Sequence, residues 1–82
     1  MKFYSYILFS EKLQKFYIGS TQNLADRIDY HNRGLVQFTA TGIPWKHVWS
    51  QPFESRSEAV AMESKIKKRG ARRFLIDIQE MS

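Results

Sequence analysis

The first residues alternate. Phe3, Ile7 and Phe9 fall on one parity and Tyr4, Tyr6 and Leu8 on the other, the period-two signature of a strand expected over residues 2–9. A second strand, over residues 15–19, sets Phe16 and Ile18 against Lys15 and Tyr17. Apolar bulk on both parities means that each face of this hairpin has something packed on it. Gly19-Ser20-Thr21 then breaks the strand, and the period changes to that of a helix. Leu24 and Ile28 form its stripe, Thr21 or Asn23 is placed to cap its start, and Gly34 to end it at C′. Residues 33–44 hold no period and carry Gly34, Thr39, Thr41, Gly42 and Pro44, so a loop is expected. A third strand over residues 45–51 alternates Trp45, His47 and Trp49 with Lys46, Val48 and Ser50, bracketed by Pro44 and Pro52. Ser55-x-x-Glu58 is a capping box opening a long helix with Ala59, Met62, Glu63 and Ile66 inward. Gly70 interrupts it, and Ala71, Phe74, Leu75 and Ile78 repeat the pattern in a short final helix. The element order is β-β-α-β-α-α, an α+β chain.

Hairpin parity decides whether Tyr6 and Tyr17 meet. Their numbers sum to an odd value, so they share a face only if the connecting loop has an even length. A two-residue turn at Glu11-Lys12 sets them opposite, with Cβ atoms roughly 5 Å apart. A four-residue turn over residues 11–14 leaves them diagonal on one face, and an odd loop separates them unless a bulge restores the register. Strand tyrosines are ordinary taken singly. What singles these out is Asn23, Arg27 and His31, recurring every four residues along the helix flank that follows.

Composition narrows the class. With 82 residues and no compositional break, residues 1–82 are expected to form a single domain. Such a chain buries about 60–65% of its unfolded surface, so stability is modest. The absence of cysteine excludes disulfides and zinc–thiolate sites and fits a reducing compartment. The apolar run over residues 4–9 is too short to span a membrane and meets Glu11-Lys12 with no cleavage site, so a cytoplasmic protein without a membrane partner is expected. A net charge of +5 favours an anionic partner, nucleic acid before others.

Glu63 breaks the helix pattern. An unpaired carboxylate on an inward face costs several kcal/mol or takes up a proton. It therefore needs a basic side chain, Arg27 being the obvious candidate, or a metal ion. A lone carboxylate with room around it suits Mg²⁺, which keeps most of its waters and takes its other oxygens from a phosphate. The other residues then suit phosphodiester hydrolysis. Arg27 binds a non-bridging oxygen where charge accumulates, and a tyrosine acts as base if His31 or a metal-bound water stabilises its phenolate. Lys65, Lys67, Lys68, Arg69, Arg72 and Arg73 form a basic run starting two residues after Glu63. It reads either as a solvated helix face or as a track for a phosphate backbone. His47 has no comparable company, and Trp45 and Trp49 are expected in the core.

These segments resemble the GIY-YIG nuclease superfamily, and are nearest to its small stand-alone bacterial members. Tyr4-Ser5-Tyr6 stands at the first triplet with its tyrosine kept and its glycine and isoleucine replaced, and Tyr17-Ile18-Gly19 matches the second outright. Leu24-Ala25-Asp26-Arg27-Ile28 with His31-Asn32 is similar to the family's arginine helix. Ser57-Glu58-Ala59, Glu63 and Lys67 are similar to its metal-carboxylate helix. Leu75 stands where several relatives carry asparagine. The resemblance implies a three-stranded antiparallel sheet flanked by helices, and a site made of Tyr6, Tyr17, Arg27, His31 and Glu63. It also implies one divalent ion, Mg²⁺ or Mn²⁺, on Glu63. The expected activity is an endonuclease acting on DNA, with RNA as the second substrate. The alternative is a catalytically weak nucleic-acid-binding module on the same scaffold.

Overall fold

The structure, a computed structural model, describes residues 2–81. Strands β1 (Phe3–Ser10), β2 (Lys15–Thr21) and β3 (Trp45–Phe53) form one antiparallel sheet in the order β2-β1-β3. Between them lie helix α1 (Leu24–Asn32) and a 3-10 helix, Gln37–Gly42. After them come α2 (Arg56–Arg69) and α3 (Ala71–Met81).

The hairpin loop has four residues, since Ser10 pairs with Lys15. Tyr6 consequently faces Gly19 across the ladder and Tyr17 faces Leu8. The two tyrosines are diagonal on one face, with ring centroids 6.4 Å apart, the even-loop geometry expected from parity.

Each face of β1 has its own cover. Tyr6 and Leu8 pack with Trp45, and Tyr17, Leu24, Ile28 and Ile43 close over them. On the other face Ile7, Ile66 and Ala71 form a second cluster with Phe16, Ile18, Trp49, Met62, Phe74 and Leu75. Leu75 thus fills apolar space against the sheet. Ser5, fully buried between sheet and α2, donates to the Ala59 carbonyl at 2.7 Å and ties that helix to the central strand.

Strand β3 departs from simple alternation. Ile7 pairs with Trp49 but Leu8 pairs with His47, so Val48 is an extra residue in a bulge. A bulge reverses facing on one side of itself. Trp45 and Trp49, expected on one side, therefore lie on opposite sides: Trp45 under α1, and Trp49 edge-on to Phe74 at 4.9 Å. The strand also runs through Pro52, expected to end it, and Pro52 pairs with Tyr4. An edge strand tolerates the missing N–H.

The helix ends follow their capping residues. The Asn23 side chain accepts from the Asp26 N–H at 3.3 Å, and that of Ser55 from the Glu58 N–H at 3.2 Å. Gly34, at φ 76°, closes α1: its N–H reaches the His31 carbonyl and the Leu35 N–H reaches Tyr30. This is a Schellman ending that only a residue without Cβ enters freely. Residues 37–42, expected as loop, wind into the 3-10 helix, held by hydrogen bonds from Ser10 Oγ to the Gly42 carbonyl (2.7 Å) and from Trp45 Nε1 to the Thr39 carbonyl (2.7 Å). Asn32 pairs with both backbone groups of Trp45, at 2.6 and 3.0 Å, and joins the end of α1 to the start of β3. No helix among the described residues is long and apolar enough to cross a membrane.

Ile66, with no exposed surface, is the α2 residue most deeply set into the second cluster. Ile66→Val is expected to lower stability by ~0.5–1.5 kcal/mol and Ile66→Ala by ~2–5 kcal/mol. Urea midpoints with an unchanged m-value check this.

Candidate functional site

Three side chains meet over the α1 face of the sheet. Tyr6 Oη lies 3.3 Å from His31 Nε2. The Tyr17 ring packs on the imidazole with centroids 4.7 Å apart. Tyr6 is only 2% exposed and His31 only 1%. On its far side, His31 Nδ1 lies 2.8 Å from the Thr39 hydroxyl, which in turn reaches the Val36 carbonyl at 3.3 Å. Gly19 makes the phenol's position possible: a Cβ there would stand 2.6 Å from Tyr6 Oη and 2.7 Å from its ring carbon. The glycine is needed because the tyrosine across the ladder occupies the space a side chain would take.

Arg27 projects from α1 beside this group. Its guanidinium stacks over Tyr30, 5.8 Å from the ring centroid, and no carboxylate pairs with it among the described residues. It lines an open cleft of about 230 Å³ with Thr21, Asn23, Asp26 and Tyr30. The Asp26 carboxylate on its rim accepts from the Asn23 amide at 2.8 Å.

Glu63 comes from the other face. It belongs to α2, and its partners are Ser20 Oγ at 2.8 Å and Lys67 Nζ at 2.7 Å. The side chain keeps 20% of its surface exposed. A salt bridge between Glu63 and Arg27, one of the two readings open from sequence, is not formed. Ser20 shares parity with Ile18, and so points at α2 while Gly19 and Thr21 point at α1. The edge strand β2 therefore holds the carboxylate on one side and the phenols on the other, near enough for the Glu63 charge to act on the Tyr6 phenol.

The electrostatics reflect that proximity. Burial pushes the Tyr6 phenol far above its ordinary value. The neighbouring Tyr17 phenol adds to this, Arg27 opposes it and Glu63 reinforces it. His31 is held below its ordinary value by burial and then by the Arg27 charge. At neutral pH the pair is thus a neutral phenol beside a neutral imidazole.

The basic run is partly engaged within the protein. Arg69 makes a two-pronged pair with Asp77 (2.8 and 2.9 Å) that braces α2 against α3. Arg72 lies over Phe16, 5.4 Å from its centroid, and Lys67 holds Glu63. Lys65, Lys68 and Arg73 are exposed. His47 is exposed on β3, apart from the group.

Sequence reasoning missed Ser20, Thr39 and Phe38. Ser20 was discoverable from its parity with Ile18. Thr39 lies in a stretch without period, and nothing local marks it as the partner of His31. Phe38, 84% exposed, lies tilted against Tyr17 with ring centroids 6.5 Å apart.

Comparison with known proteins bears on the family and the fold. The GIY-YIG catalytic domain matches residues 2–74. The chain belongs to the GIY-YIG family. It is similar to a UPF0213 protein of Streptococcus pneumoniae, 33% identical over 55 residues, a match spanning 66% of this chain and 56% of that protein. The chain thus spans little more than half the length of this curated relative. It is also similar to the solution NMR structure of a UPF0213 protein from Bacillus halodurans. That match has a TM-score of 0.59 and 28% identity, and covers 96% of this chain and 84% of the other.

Two predictions follow from the buried pair. His31 takes up a proton less readily folded than unfolded, so the unfolded chain binds more protons below the unperturbed value of about 6.5. Stability is therefore full above about pH 6.5 and declines as pH falls towards the lowered folded value. His31→Gln is expected to flatten that acid limb in urea midpoints collected across it. Gly19→Ala forces the Tyr6 ring to move and is expected to cost ~1–3 kcal/mol, measured in the same way.

Proposed function

We propose that this protein is a metal-dependent endonuclease that hydrolyses phosphodiester bonds in DNA, with RNA the second substrate class. The observation that carries this reading is the set of groups about Tyr6: a buried phenol hydrogen-bonded to a neutral histidine, and, near enough for their charges to act on it, a guanidinium with no carboxylate partner among the described residues and a partly open carboxylate. General acid–base chemistry needs an acceptor held neutral at working pH, and phosphoryl transfer needs positive charge where the phosphate oxygens gain negative charge.

Arg27 binds a non-bridging phosphate oxygen from the cleft it lines, because its fork matches two oxygens and it is paired with no carboxylate among the described residues. Tyr6 receives a proton from the attacking water as it passes its own to His31 Nε2. A phenol with so high a proton affinity is a poor phenolate, and the histidine removes the need to form one in advance. Its near-complete burial means that the water it acts on arrives with the substrate. Tyr17 holds the imidazole plane by ring contact. Lys65, Lys68 and Arg73 bind the flanking backbone, while Lys67, Arg69 and Arg72 shape the helices that present them.

Glu63 would hold the divalent ion. No cluster of three metal-ligating side chains occurs among the described residues, and a single carboxylate suits Mg²⁺ or Mn²⁺, which complete their shells with water and phosphate oxygen. Bound there, the ion supplies Lewis-acid stabilisation of the phosphate and leaving oxygen. Ser20 keeps one carboxylate oxygen aimed, and the Lys67 contact, exposed and modest in strength, is the one given up.

Incubation of the full chain with structured and single-stranded DNA and with RNA, with and without Mn²⁺, tests the reading. Arg27→Ala and Glu63→Gln are expected to lower cleavage on the order of 100-fold or more with little change in thermal midpoint. Undiminished cleavage by either folded variant would remove the assignment. Salt-sensitive binding with no metal-dependent product would favour the binding module instead.

A further inference from the structure

We propose that Thr39 is a positioning residue for the Tyr6–His31 pair: its hydroxyl holds the imidazole proton on Nδ1 and leaves Nε2 as a bare acceptor facing the phenol. The catalytic consequence rests on the nuclease reading above; the proton's location does not.

The hydrogen bonds leave one consistent direction. The Val36 carbonyl can only accept, so the contact at 3.3 Å takes the Thr39 hydroxyl proton. The lone pairs of Thr39 Oγ1 then face Nδ1 at 2.8 Å, and that nitrogen has to bring an N–H. A neutral imidazole has one N–H, so Nε2 is an acceptor. At 3.3 Å from Nε2 stands Tyr6 Oη, whose O–H has no other acceptor among the described residues.

The opposite tautomer fails at the same atom. An N–H on Nε2 would point at the phenol oxygen and leave the Tyr6 proton without a partner inside a residue that is almost wholly buried. Only the Nδ1–H form lets the phenol, the imidazole and the threonine all donate. Which ring nitrogen carries the proton is set by the bond the other makes, and here both ends agree.

Thr39 is built for the task. It is fully buried, its N–H donates to the Val36 carbonyl at 3.1 Å, and its carbonyl accepts from Trp45 Nε1 at 2.7 Å. The 3-10 turn and the buried indole fix the backbone from which the hydroxyl projects.

Long-range ¹⁵N–¹H correlation spectra of the labelled full chain at mildly alkaline pH test this, with His47→Gln separating the two histidines. Wild type and Thr39→Ser are expected to show His31 protonated on Nδ1. Thr39→Val keeps the volume but loses the hydroxyl, and is expected to move the proton to Nε2. A wild-type ring protonated on Nε2, or an unchanged tautomer in folded Thr39→Val, overturns the proposal. Should Thr39→Val not fold, the wild-type and Thr39→Ser spectra decide it. In cleavage assays Thr39→Val is expected to lose on the order of 100-fold or more, the scale of general acid–base catalysis, with Thr39→Ser restoring most of the rate. Absence of cleavage by wild type would remove the nuclease reading while the ring spectra still decide the tautomer.

Discussion

Strand β1 has to satisfy partners on all four sides, and the rest of the molecule is placed by that demand. Its two edges are taken by β2 and β3 and its two faces by α1 and α2, so residues 5–8 are buried throughout. A strand enclosed in this way tolerates polar atoms only where each finds a partner. Ser5 meets a helix carbonyl, Ser10 the 3-10 turn, and Tyr6 the histidine of α1. The first two bonds hold the architecture together. The third places a hydrogen-bonded phenol and imidazole at the centre of the fold, so the candidate site is an outgrowth of the way the central strand is buried.

The candidate site is accordingly divided by the sheet. The phenols, His31 and Arg27 lie on one side, and Glu63 on the other, held by a serine of the alternate parity. Edge strand β2 is the partition, and Gly19 is where it is thinnest. The glycine and the tyrosine opposite it are therefore sterically tied: a side chain at 19 would displace the phenol.

Much of this was legible from residue order. Parity plus an even loop brings Tyr6 and Tyr17 together, and capping residues bound α1 and α2 where Asn23, Gly34 and Ser55 stand. The inward positions Ala59, Met62, Glu63 and Ile66 are the ones that approach the sheet, as the 3.6-residue period requires. What stayed hidden depends on contacts between distant segments. The bulge at Val48 has no local signature, and it turns Trp49 away from Trp45. The partner of His31 sits in a stretch with neither period. Arg69 reads as a free cation until Asp77, on the next helix, is brought beside it. The inward position of Glu63 demands a partner, but Lys67 and Ser20 rather than Arg27 supply the contacts.

The interruptions in β3 matter for the molecule among its own copies. Three short strands leave two rims of unused backbone, each able to recruit a neighbouring chain. On the β3 rim the extra residue at Val48 breaks the spacing of N–H and C=O groups, and Pro52 removes a donor further along. A flat ribbon from another molecule would lose its match within a few residues. The irregularity that sends the two tryptophans to separate layers therefore also makes this rim a poor template for intermolecular strand growth.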